Sequence, residues 1–196
     1  MSGEILRTFV AVPLSDGARQ RLGRLSDDLR AALGRAGGKF SFVRPEAMHL
    51  TLKFLGDVER SRVPEIAAAV QEAVSPFRTF GFDLAEVGFF GSPRRPRVIW
   101  LGVQEPGGTL EGLAGAVDRA LSAVLGFPPE RRPFRAHLTL ARVKKPPQGD
   151  LGRLLEPLRG RGAGTETAGE VVLYRSELQP TGALHTALAR AEMSAS

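Results

Sequence analysis

The chain has 196 residues, with 27 Lys and Arg against 21 Asp and Glu, a formal net charge of +6 and no cysteine. That length can bury a core as one domain or two small lobes, and the missing thiols exclude disulfides, thiolate nucleophiles and zinc–thiolate sites. No apolar run of 18 residues could span a bilayer, and Met1 to Leu14 has no apolar run behind a basic segment, so a cytoplasmic protein with no membrane contact is expected.

Thr8 to Pro13 reads as a strand, and Asp16 to Ala36 as a helix with Leu22, Leu25, Leu29 and Leu33 at helical spacing before Gly37-Gly38. Phe42 to Leu55 alternates as a strand does, and Arg60 to Val74 returns to helical periodicity. Arg78 to Phe90 and Arg97 to Val103 are strand-like, with Gly91-Ser92-Pro93 as the turn of a hairpin. Gly108 to Leu125 is a third amphipathic helix, and Phe134 to Val143 a further strand. Leu151 to Leu158 forms a short helix. Glu170 to Gln179 and Leu184 to Met193 close the chain as strands about the turn Pro180-Thr181-Gly182.

No linker rich in Pro, Gly or Ser divides the chain cleanly, although Gln104 to Gly108 could hold a crossover. The order of elements predicts an α+β fold in which two lobes face each other across a cleft, as a single bilobal domain over residues 1–196. This arrangement fits better than a Rossmann fold, because no Gly-x-Gly-x-x-Gly follows a strand, and no P-loop is present.

The four residues His49-Leu50-Thr51-Leu52 recur as His137-Leu138-Thr139-Leu140, 88 positions later. Alternation along a strand puts each histidine and its threonine on one face and the leucines on the other. Imidazole gives and takes a proton near neutrality, so two facing copies can serve as acid and base while the threonine hydroxyls hold phosphate oxygens. Two histidines with two hydroxyls and no nearby carboxylate are a poor zinc set, so no metal and no other cofactor are expected. The basic side chains comprise 23 arginines and four lysines, with local clusters at Arg94-Arg95-Pro96-Arg97, Arg131-Arg132 and Lys144-Lys145; the bias suits phosphate recognition, and compositional drift towards Arg, Ala and Gly or solvated charge runs at loops account for it equally well. Phe42, Phe89, Phe90 and Trp100 could stack a nucleobase, although strand aromatics are usually core.

The two motifs, within Arg44 to Gly56 and Phe134 to Arg142, resemble those of the two-histidine phosphoesterase superfamily. More closely they resemble the RNA 2′,3′-cyclic phosphodiesterases, also called 2′-5′ RNA ligases; the likeness runs from Phe9-Val10-Ala11-Val12 to the closing hairpin. The resemblance implies two pseudo-symmetric lobes, each an antiparallel sheet with helices outside, and opening of RNA 2′,3′-cyclic phosphate ends to 2′-phosphates. It makes His49 the proton donor to the 3′ oxygen, His137 the proton acceptor from water, and Thr51, Thr139 and Arg142 phosphate ligands. Strict alternation from His137 would put Ala141 on the cleft face and Arg142 on the other, so the Arg142 role requires a bulge or a strand end. Ala136 stands where relatives often have proline, and His185 where an aromatic residue is common; His185 reads as structural or substrate-lining. The partner implied is an RNA end, met by a monomer. Other readings of the same residues are 2′-5′ ligation, hydrolysis of small cyclic nucleotides, and an RNA-end-binding module without catalysis.

Overall fold

The computed structural model describes residues 3–180 and 182–195. Its first sheet joins β3 (Leu50–Glu59), β1 (Ile5–Val12), β8 (Glu170–Gln179) and β9 (Gly182–Glu192), in that order. The second joins β2 (Lys39–Phe42), β6 (His137–Lys145), β5 (Arg95–Gln104), β4 (Phe80–Ser92) and β7 (Gly164–Ala168). Every neighbouring pair is antiparallel. With β2 set aside, the second sheet repeats the first: a motif strand, then the strand that precedes a long helix, then two more.

Among the described residues, four helices cover these sheets: α1 (Asp16–Gly34), α2 (Val63–Val74), α3 (Thr109–Leu125) and the short α4 (Leu151–Leu155). Ser15 caps α1 by accepting from the Ala18 N–H at 3.1 Å, and Ala18, Leu22, Leu25, Leu29 and Leu33 form its buried stripe. Helix α1 follows β1 of the first sheet yet packs on β7 and α4 of the second lobe; α3 follows β5 of the second sheet yet packs on β3 and α2 of the first. Each half thus lends its long helix to the other lobe. One apolar core runs through both, from Val10 and Leu50 to Leu101 and Leu138, which is why no linker divides the chain. Gln104 to Gly108 does contain a crossover, ending at Gly108 with φ 75°.

Three expectations change. Phe42 to Leu55 is not one strand: β2 ends at Phe42, a 3₁₀ turn over Pro45–Ala47 follows, and β3 starts at Leu50 in the other sheet. Proline, which cannot donate to a ladder, starts that turn. The β4–β5 hairpin turns on Pro93-Arg94, with Ser92 paired to Arg95, rather than on Gly91-Ser92-Pro93. Strand β7 went unforeseen because its inward position is a charged residue. Glu166 is only 7% exposed, accepts from the Ser15 N–H (3.1 Å) and hydroxyl (2.9 Å), and pairs with Arg21 at 2.9 Å, which anchors β7 to α1. The closing hairpin pairs Gln179 with Gly182, and Thr181 of its expected turn lies outside the described residues. Among the described residues, no helix is long and apolar enough to cross a membrane.

Candidate active site

The path of the chain from β2 into β3 brings the two motif strands together. Strand β2 lies on β6, the Val43 N–H donates to the Leu140 carbonyl at 2.9 Å, and the turn at Pro45 then delivers His49 to the head of β3. Strands β3 and β6 come into contact although they belong to different sheets. A further tie runs behind them, where Lys53 pairs with Asp118 of α3, whose other oxygen accepts from the Glu130 N–H at 2.9 Å. That tie holds the loop leading to His137 against the strand that carries Thr51.

The same local geometry occurs at both histidines. The His49 Nδ1 lies 2.9 Å from the Ala47 carbonyl oxygen, and the His137 Nδ1 lies 2.7 Å from that of Arg135. A carbonyl oxygen only accepts, so in each ring Nδ1 carries the proton and the neutral tautomer keeps its lone pair on Nε2. Each ring is therefore fixed by the residue two before it, with Nε2 left for chemistry.

Both motif strands also bulge at the fourth motif residue. Along β1, Val10 pairs with Lys53 and Ala11 with Thr51, so Leu52 is the extra residue; along β5, Ile99 pairs with Ala141 and Trp100 with Thr139, so Leu140 is extra. An extra residue reverses the alternation beyond it. His137, Thr139 and Arg142 consequently lie opposite Gly102, Trp100 and Val98, all on one face, while Leu138, Leu140 and Ala141 are fully buried on the other. The bulge that Arg142 required is present, and strict alternation fails at Leu140. In the first lobe the equivalent position is Phe54, opposite Phe9 and 65% exposed.

The His49 ring stacks on Phe9 with centroids 4.4 Å apart and meets the edge of His185 at 5.0 Å, and Tyr174 also stacks on Phe9 at 5.2 Å. Burial among these rings lowers its pKa to about 4, with further lowering from His185 and the Arg142 charge, against a raising contribution from the Ala47 carbonyl. Arg142 therefore lies near enough to act on His49 from the other sheet, in line with the contact between β3 and β6. His137 meets the edge of Phe90 at 4.9 Å instead.

In the ligand-free protein, then, His49 should titrate near pH 4 by NMR and move upward when inorganic phosphate binds, because an anion favours the imidazolium and offsets Arg142. The stability consequence has a definite sign. Between pH 6.5 and about 4 the unfolded chain holds a proton that native His49 refuses, so acidification through that window costs up to ~3 kcal/mol. A ligand-free His49 titrating at 6.5 or above would contradict this.

Of the four aromatic residues considered for stacking, Phe90 and Trp100 lie on the cleft face, with Trp100 across Gly88, where a Cβ would come within 2.4 Å of its ring. Phe42 faces α1 beneath Arg30, and Phe89 packs towards the core. Pattern reading passed over Phe9 and Tyr174 as neighbours of His49, although Phe9 shares a face with Ala11 and Tyr174 is the chain's one tyrosine. His185 is placed against His49 with its Nδ1 buried and, among the described residues, without a hydrogen-bond partner.

A family model, LigT like Phosphoesterase, matches the chain twice, over residues 12–100 and 101–185, with one motif in each match. An RNA 2′,3′-cyclic phosphodiesterase of Methanothermobacter thermautotrophicus is 37% identical over 182 residues, covering 92% of this chain and 95% of the relative. TT0787 of Thermus thermophilus superposes with a TM-score of 0.77 at 26% identity, covering 95% of this chain and 97% of that one. E. coli LigT complexed with 3′-AMP superposes with a TM-score of 0.72 at 26% identity, covering 97% and 99%.

Proposed function

The chain belongs to the LigT-like phosphoesterase family, and we propose that it hydrolyses 2′,3′-cyclic phosphate ends of RNA to 2′-phosphate ends without a metal. His137 Nε2 takes a proton from water, the water oxygen bonds to phosphorus, and the bond from phosphorus to the 3′ oxygen breaks. His49 gives its proton to that departing oxygen, so the product carries a 3′ hydroxyl and a 2′-phosphate. The Thr51 and Thr139 hydroxyls donate to the nonbridging oxygens, and Arg142 balances the charge that builds on them. His49 is neutral in the empty cleft at pH 7, and the bound phosphate anion supplies the opposite charge that lets it hold a proton.

The observation that carries this reading is the duplicated arrangement itself. Two imidazoles, each held through Nδ1 by the carbonyl two residues back, are carried by strands β3 and β6, which meet from the two sheets, with a threonine two residues after each and Arg142 brought by a bulge to the face of His137. The relative in M. thermautotrophicus and the 3′-AMP complex of E. coli LigT support the choice of a nucleotide substrate. The test is the product formed from an RNA with a 2′,3′-cyclic phosphate end, with EDTA present. A 2′-phosphate is expected; a 3′-phosphate would overturn the proton roles, and no ring opening would overturn the activity.

A further inference from the structure

We propose that the cleft face of the second sheet continues past Arg142 as a phosphate-binding track, built from Lys145, Lys39 and Arg95, for the RNA strand upstream of its reacting end. The inference rests on the RNA reading above and adds how the site takes a polymer.

The net charge of the chain is not spread evenly. Residues 36–45, 87–104 and 131–149 carry eleven Lys and Arg and no Asp or Glu, while the rest of the chain carries sixteen basic residues against 21 acidic ones. The fold assembles those three segments into one region, since they form β2, the end of β4, β5 and β6. None of the eleven makes an ion pair among the described residues, whereas ten of the other sixteen do. Compositional drift towards arginine would scatter cations and would not strip one region of carboxylates.

Register gives the track its direction. Ser41 pairs with Arg142, so Lys39, two residues earlier on the same strand, shares the cleft face, as does Lys145 opposite it. Phe90 pairs with Val98 and Ser92 with Arg95; Ser92 is two residues beyond Phe90, so Arg95 joins the same face at the same end of the sheet. Strand rise puts Lys145 about 10 Å from Arg142, beyond a phosphate held between the histidines. Lys39, Arg95 and Lys145 are all exposed. A row of solvated cations that form no ion pair among the described residues, starting beside the reacting phosphate, is complementary to the backbone of the nucleic acid whose end lies in the cleft. A mononucleotide ends before the track begins.

The experiment compares the parent protein with Lys39→Ala, Arg95→Ala and Lys145→Ala combined, and with a charge-matched control, Arg60→Ala, Arg159→Ala and Arg190→Ala combined. Binding of a labelled RNA of about ten nucleotides ending in a 2′-phosphate is measured across salt concentrations, alongside turnover of a 2′,3′-cyclic mononucleotide. In the track variant RNA binding should weaken on the order of 10-fold or more, with a log–log salt slope shallower by about 2, three phosphate contacts being lost at about 0.7 each. Mononucleotide turnover should match the parent, and the control should bind RNA as the parent does. Unchanged RNA affinity and slope in the track variant would overturn the proposal and leave the patch for an acidic protein. Equal weakening in the control would overturn it as well, by making net charge the cause, and so would a parallel loss of mononucleotide turnover. A parent that binds RNA through the track but opens no cyclic phosphate would sink the proposed activity and leave the track standing.

Discussion

Replacing His137 with alanine should lower turnover of a cyclic-phosphate-ended RNA by about 10²- to 10⁴-fold, the range that a positioned general base contributes. The site should otherwise survive the change. His137 begins β6 and is held by one carbonyl and the edge of Phe90, so its removal opens space at the cleft and not in the core. Thermal unfolding of the variant should therefore follow the parent while activity collapses. The companion change, His49→Ala, should cost a similar factor, but it also uncovers Phe9 and releases the edge of His185, so its effect mixes chemistry with packing. If the two histidines act as a unit, the double variant loses little more than either single one. Full activity in His137→Ala would remove it from the mechanism.

Much of this site was legible because its information is local. The repeated His-x-Thr, the alternation around it and the leucine stripe of α1 are periodic features, and periodicity survives in a single sequence. Pairing partners are not local. Nothing between Phe42 and Leu50 states that β2 joins one sheet and β3 the other, and the proline at 45 signals only an interruption. The exchange of α1 and α3 between lobes is equally silent, since an amphipathic stripe shows that a face is buried without saying against what. Strand β7 escaped for a different reason. Its inward residue is Glu166, and a pattern search counts a carboxylate as facing out, whereas three donors around it make burial tolerable. The bulges leave the faintest trace. In β6 it is two consecutive buried residues, Leu140 and Ala141, and alanine is too indifferent to burial to mark the break.

That bulge leads to the second large effect. Because Leu140 is the extra residue, Arg142 lies with His137 and Thr139 and close enough to His49 for its charge to lower the pKa of that ring. Arg142→Ala should lower kcat/KM by about 10²- to 10³-fold, comparable to losing one preorganised donor to a developing oxyanion. Arg142→Lys should recover only part of that, since an ammonium supplies the charge but not the planar fork that can grip two phosphate oxygens. Titration of His49 separates the two contributions without catalysis. In ligand-free Arg142→Ala its pKa should rise above the parent value of about 4, because a lowering charge is gone, whereas in Arg142→Lys it should stay near the parent value. An alanine variant with full activity and an unmoved His49 would place Arg142 off the cleft face, on the side of Leu138, as unbroken alternation from His137 requires. The bulge and the arginine's function therefore stand or fall on the same pair of measurements.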